Sequence, residues 1–130
     1  MQTKEETFNF ENAFKDYFAF GWNETQSRVH VTALEKGWYD DVKKPSDRNQ
    51  GEVIALIHSE LSEALDGLRS GNPPSEKIVD RGFSQVEEEF ADVVIRIMDI
   101  SAAKRAMKEI ERLMSENESL LALIEMKNDE

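Results

Sequence analysis

Ile57-His58-Ser59-Glu60-Leu61-Ser62-Glu63-Ala64-Leu65, answered further on by Val86-Glu87-Glu88-Glu89-Phe90-Ala91-Asp92-Val93-Val94, decides how this 130-residue chain folds. Each stretch reads as a helix carrying two acids three residues apart, so Glu60 and Glu63 share one face and Glu89 and Asp92 share another. At about 100° per residue, Glu52, Glu60 and Glu63 fall in one arc of the first helix, opposite Ile54, Ile57, Leu61, Ala64 and Leu68. On the second helix Glu89, Asp92, Arg96 and Asp99 form a polar stripe, while Val86, Phe90, Val93, Val94, Ile97 and Met98 cover much of the remainder. A helix that apolar is expected to be largely buried, which makes its acid stripe costly unless something compensates it.

Outward from these helices, stop and start signals are frequent. Asp47 and Gln50 have capping-box spacing for the first acid helix, which is expected to run to Arg69, and Ser70-Gly71-Asn72-Pro73-Pro74 ends it. Ser84 and Glu87 have the same spacing ahead of the second acid helix, and a short polar connector between the two favours an antiparallel pair. Upstream, Phe10, Phe14, Tyr17 and Phe18 recur at helical spacing. Gly21 is read as the end of that first helix, and Asn23 with Gln26 as the cap of another over roughly 24–36. From Ala102 onward neither Gly nor Pro occurs, so one or two further helices carry the chain almost to Glu130. No segment alternates in the manner of a strand. The expectation is one all-α domain over 1–130 with four to five helices, frayed over 1–7.

Composition narrows the function. The net charge of -11 argues against a surface for nucleic-acid polymers, which needs concentrated Lys and Arg. The absence of cysteine removes disulfides and thiolate metal sites, and with no long apolar span or signal peptide the expectation is a cytoplasmic protein that avoids membranes.

Four carboxylates brought together between helices repel by about 4 kcal/mol for each pair about 4 Å apart at an effective dielectric of about 20. Either they point into water, or they converge and a cation holds them. All-oxygen ligands suit Mg²⁺, with Mn²⁺ as a substitute, whereas zinc prefers His or Cys. A di-iron bundle also uses helical carboxylates but needs Glu-x-x-His pairs, and His58 lies about 160° from Glu60 on the wheel. His58 is therefore read as a packing or hydrogen-bonding residue.

Glu60-x-x-Glu63 and Glu89-x-x-Asp92, separated by 25 residues, resemble the paired acid motifs of the MazG-like all-α nucleoside triphosphate pyrophosphohydrolases. Leu56–Ala64 and Glu88–Arg96 resemble that family's two acid helices, and Gly37–Asp40 and Arg48–Glu52 resemble stretches upstream of them. The likeness covers roughly Val29 to Ser101. It implies that Glu60, Glu63, Glu89 and Asp92 bind Mg²⁺ and catalyse water attack on the α-phosphorus of a (deoxy)nucleoside triphosphate, releasing monophosphate and pyrophosphate.

Candidate substrate contacts are Trp22, Trp38, Tyr39 or Asn49 for the base, and Arg96, Lys43, Lys44 or Arg48 for phosphate. Each has a plain alternative: the Trp residues as half-buried core, Arg96 as an ion-pair partner of Asp92 or Asp99, the lysines as solvated surface. The resemblance also implies a homodimer or homotetramer. Ala103, Ala106, Ile110, Leu113, Asn117, Leu120 and Ile124 supply a heptad seam within 102–127, to pack on another copy or inside one subunit. The competing class is a non-enzymatic acidic bundle that binds a partner or mimics DNA.

Overall fold

The structure, a computed structural model, describes residues 10–128, whose regular elements are all helical. The expected fraying over 1–7 lies outside the described residues. Three α-helices follow one another: α1 (Phe10–Glu35), α2 (Gln50–Arg69) and α3 (Gln85–Asn128), with single 3-10 turns at Pro45–Asp47 and Val79–Arg81 in the connections. α3 is the common partner, packing against both α2 and α1. None of these helices is long and apolar enough to cross a membrane.

The helix count of four to five is therefore corrected to three α-helices among the described residues. Gly21 does not end α1, because an isolated glycine in a helix costs only about 1 kcal/mol. Its carbonyl stays in the helical run and accepts a bond from Thr25 Oγ1 at 2.7 Å. Asn23 and Gln26 consequently sit inside α1, not at a cap. The C-terminal segment adds no separate helix either: α3 continues without interruption through all 44 of its residues.

The ends of α1 and α2 share one device. Gly37 N–H bonds Leu34 O at 3.1 Å and Trp38 N–H bonds Ala33 O at 3.0 Å; Gly71 N–H bonds Leu68 O at 3.1 Å and Asn72 N–H bonds Gly67 O at 2.8 Å. These are paired Schellman bonds, and both glycines take the positive φ the motif requires, 79° and 83°. At α1 the reversal turns Trp38 and Tyr39 back toward α3. At α2 it leads through Pro73 and Pro74 into a loop closed by Ser75 N–H to Phe83 O and Gln85 N–H to Pro73 O, both 2.8 Å.

Helix starts are set by side chains. Ser84 and Glu87 form the expected reciprocal box, with Ser84 N–H on Glu87 Oε2 at 2.8 Å and Glu87 N–H on Ser84 Oγ at 3.3 Å. At α2 the cap is Asn49, whose Oδ1 accepts Glu52 N–H at 3.1 Å, instead of the expected Asp47, which lies in the 3-10 turn.

α3, expected to be largely buried, leaves much of its apolar surface exposed, and so does α2. α2 buries Val53, Glu60, Ala64 and Gly67, while Ile54, Leu61, Leu65 and Leu68 are exposed. On α3 Glu88, Glu89 and Asp99 are buried with Met98, Ala102 and Ala103, whereas Phe90, Val94 and Ile97 are exposed. Glu60, Glu88, Glu89 and Asp99 are thus buried, while much of the apolar surface of α2 and α3, including Leu61, Leu68, Phe90 and Val94, is exposed. The aromatics of α1 behave likewise, Phe14 being 62% and Tyr17 79% exposed. The apolar cluster within the chain is small, made of Ala33, Tyr39 and Ala103 with Trp38 and Val42 against it.

Tyr39 ties the α1–α3 side together. Its hydroxyl donates to Asp99 Oδ2 at 2.7 Å, and the other Asp99 oxygen lies 2.7 Å from His30 Nδ1. Burial, then the bond to Asp99, pushes the Tyr39 phenol well above its usual range, so it stays a donor. The Arg48 guanidinium lies 5.1 Å from the Tyr39 ring centroid and donates to Trp38 O. Tyr39→Phe leaves a buried carboxylate oxygen without this donor, and urea unfolding should show a loss of about 1–3 kcal/mol. Wild-type stability in that variant would remove Asp99 from the account of the fold.

Candidate metal centre

The two acid helices bring three of the four expected carboxylates together. Glu60, Glu63 and Glu89 each offer an oxygen within 4.8 Å of the others. Glu60 is 8% and Glu89 3% exposed, while Glu63 stands in the open. Asp92 is half-buried one turn along α3 from Glu89, outside that tight group yet near enough for the Glu60 charge to act on it.

The electrostatics are uneven across the cluster. Burial pushes the Glu89 carboxyl above the usual carboxylate range, and the charge of Glu63 pushes it the same way; Lys77 opposes both. Asp92 is raised too, by burial first and then by Glu60. Glu60 has a partner: Arg96 Nε and its terminal nitrogen both lie 2.6 Å from Glu60 Oε1. Arg96 thus pairs across the helices with Glu60 and not with Asp92 or Asp99. Glu89 has no such relief, and its buried Oε2 makes no hydrogen bond. An orphaned carboxylate oxygen beside two more carboxylates matches what a hard divalent cation accepts. On donor set and burial the residues fit Mg²⁺ or Mn²⁺.

The same Arg96 reaches Trp38, its guanidinium 5.2 Å from the ring centroid. Trp38 is half-buried and also borders a cavity of about 240 Å³ with Arg28, Val29, Thr32, Ala33 and Ile95. The other candidate contacts are scattered. Trp22 sits on α1, its Nε1 donating to Gln26 Oε1 at 3.1 Å. Asn49 is engaged in the α2 cap, and Lys43 and Lys44 are exposed in the connection before α2. His58 is exposed on α2, so its expected packing role does not hold.

A second cavity, of about 350 Å³, opens directly on the acids between Glu63 and Glu89, with Pro73, Pro74, Lys77 and Glu88 around it. Glu88 was not singled out in the sequence, although it is buried: it accepts a bond from Ser75 Oγ, and Lys77 Nζ lies 2.8 Å from its Oε1. These contacts, that of Lys77 first, hold the Glu88 carboxyl below the usual range. The available signal was the Ser84–Glu87 box, which assigns Glu87 outward to the cap and so turns its neighbour Glu88 about 100° away.

Because the folded-state pKa of Glu89 lies above its unfolded value, this carboxyl favours folding when protonated. That contribution disappears as pH rises through the folded-state pKa. In chelator-containing buffer at neutral pH, Glu89→Gln should therefore melt at a higher temperature than wild type, and the gap should shrink as pH is lowered into the carboxylate range. A variant that melts below wild type at neutral pH would contradict a costly buried charge.

Comparison of the chain with family models, with curated proteins and with solved structures gives no match in any of the three.

Proposed function

We propose that the chain is a Mg²⁺-dependent nucleoside triphosphate pyrophosphohydrolase of the MazG-like kind. The single observation that supports this most is the convergence of Glu60, Glu63 and Glu89 around a buried carboxylate oxygen with no hydrogen bond. Carboxylates placed inward while leucines of the same helix face outward are hard to account for by folding alone. They suit a site that takes up a cation and, with it, a polyphosphate.

In this reading Glu60, Glu63 and Glu89 would hold Mg²⁺ with Asp92 alongside. The ion would supply charge neutralisation for the triphosphate and a more acidic water. Arg96 keeps Glu60 oriented from the far side, and through its contact with Trp38 links the acids to the aromatic that borders the α1–α3 cavity. Trp38 is the proposed platform for stacking a base, a contact that tolerates any base. The water oxygen bonds to the α-phosphorus as the bond from that phosphorus to the bridging oxygen breaks. The water proton goes to a carboxylate of the cluster and pyrophosphate departs. Deoxynucleoside triphosphates are the proposed substrates, in control or clean-up of the nucleotide pool within the cytoplasm.

The working form in this reading is a homodimer or homotetramer. The outward arcs of α2 and α3 and the seam along the end of α3 supply the surface for it; Ile110, Leu113, Leu120 and Ile124 are all exposed in the single chain. Asn117 is the one amide in that seam, and such a residue selects register and partner number at a cost in stability.

Pyrophosphate release from a panel of nucleoside triphosphates, with and without Mg²⁺, tests the activity. Single replacement of Glu60, Glu63 or Glu89 by Gln, or of Asp92 by Asn, should lower turnover at least about a hundredfold with the helical circular dichroism unchanged, because a ligand is lost and packing is not. Near-wild-type turnover in any one variant would exclude that residue as an essential ligand. No release from any triphosphate would favour an acidic bundle that binds a partner. Sedimentation tests the assembly. Asn117→Leu should raise the melting temperature and change or broaden the oligomer, whereas an active monomer at micromolar concentration would refute it.

A further inference from the structure

The cavity of about 350 Å³ beside Glu63 and Glu89 is lined by four carboxylates, those of Glu63, Glu76, Glu88 and Glu89, and by one cationic side chain, Lys77. A polyphosphate entering it meets negative charge on nearly every side. A cation on the cluster offsets that repulsion only where it is bound. The remaining wall needs its own positive group, and among the described residues lining the cavity Lys77 alone supplies one.

Lys77 is built for that task in three respects. Its ammonium carries three donors and makes one ion pair, with Glu88 Oε1 at 2.8 Å. Its side chain is 70% exposed, so the other donors are open to a ligand. The backbone that carries it is fixed: Ser75 is buried, bonds Glu88 through Oγ and accepts Ile78 N–H at 3.0 Å on the same oxygen, and the stem of the loop is closed by the two bonds at Pro73 and Ser75. The loop therefore presents an adjustable charge on a rigid base, with Glu88 holding the ammonium over the cavity.

Resting on the function proposed above, we infer that Lys77 binds the phosphate tail of the substrate beside the carboxylate cluster, and that Glu88 is the anion it leaves or shares when the tail arrives.

Tripolyphosphate in the presence of Mg²⁺ is the probe, followed by titration calorimetry on the full chain, with Mg²⁺ alone titrated in parallel. Lys77→Met should weaken tripolyphosphate binding by about tenfold, the loss of one charge-assisted hydrogen bond at a solvated site, and leave binding of Mg²⁺ alone unchanged. Lys77→Arg should restore most of it. Glu88→Gln should tighten tripolyphosphate, because Ser75 keeps an acceptor while the ammonium loses its competing anion. If Lys77 only clasps the loop to α3, Lys77→Met and Glu88→Gln weaken binding alike, and the inference is overturned. It is also overturned if Lys77→Met matches wild type. A wild-type chain that binds no Mg²⁺ at all would instead remove the proposed function, and this inference with it.

Discussion

Carboxylates face inward between α2 and α3, and the rest of the structure depends on that placement. Burying ionised groups costs several kcal/mol each unless they are paired, and a domain has only about 5–15 kcal/mol in total. The chain meets part of this internally: Arg96 pairs with Glu60, and Lys77 pairs with Glu88, whose other oxygen accepts from Ser75. Glu89 is left with a raised pKa and an oxygen that bonds nothing. The residual cost is concentrated where a cation would remove it, so the feature least favourable to the bare fold is the one that best suits the proposed chemistry.

The other side of α3 is arranged to keep that cluster in register. Asp99 lies one turn beyond Arg96 and receives the Tyr39 hydroxyl, with His30 on its other oxygen. Trp38, next to Tyr39 in the reversal after α1, lies under the Arg96 guanidinium. Arg96 therefore touches both Glu60 of α2 and Trp38 in the turn after α1. Small side chains at Ala33 and Ala103 let α1 and α3 approach closely there, since both are nearly fully buried. A change in the α1 turn has a direct route to the orientation of Glu60.

Much of this was legible from local chemistry. The Ser84–Glu87 box and the stop at Gly71 with its prolines are short-range signals, each set by backbone groups that a neighbouring side chain or a positive φ must satisfy, and both formed where the sequence indicated. The all-helical class followed from periodicity, which also put Glu60 with Glu63 on one face and Glu89 with Asp92 on another; that the two faces meet was implied only by the family resemblance, and Asp92 stands outside the tight group. Gly21 misled because a glycine ends a helix only when the chain needs to reverse there, and α1 continues along α3 instead. Asp47 and Asn49 both offer capping spacing, and only the backbone after Pro45 decides between them. The exposure of α3 was missed for a deeper reason. Periodicity divides a helix into two faces but does not say which one meets a neighbour in the same chain, and Phe90, Val94 and Ile97, on a helix expected to be largely buried, are exposed. The Glu88–Lys77 pair joins a loop to a helix, and no spacing rule relates the two.

The central claim concerns which phosphorus is attacked, and phosphorus NMR of the reaction run in water labelled with heavy oxygen measures that directly. With a deoxynucleoside triphosphate and Mg²⁺, water attack at the α-phosphorus should place the label in the nucleoside monophosphate and leave the pyrophosphate unlabelled. Nucleoside diphosphate with labelled orthophosphate, labelled pyrophosphate, or no turnover of any triphosphate would contradict it.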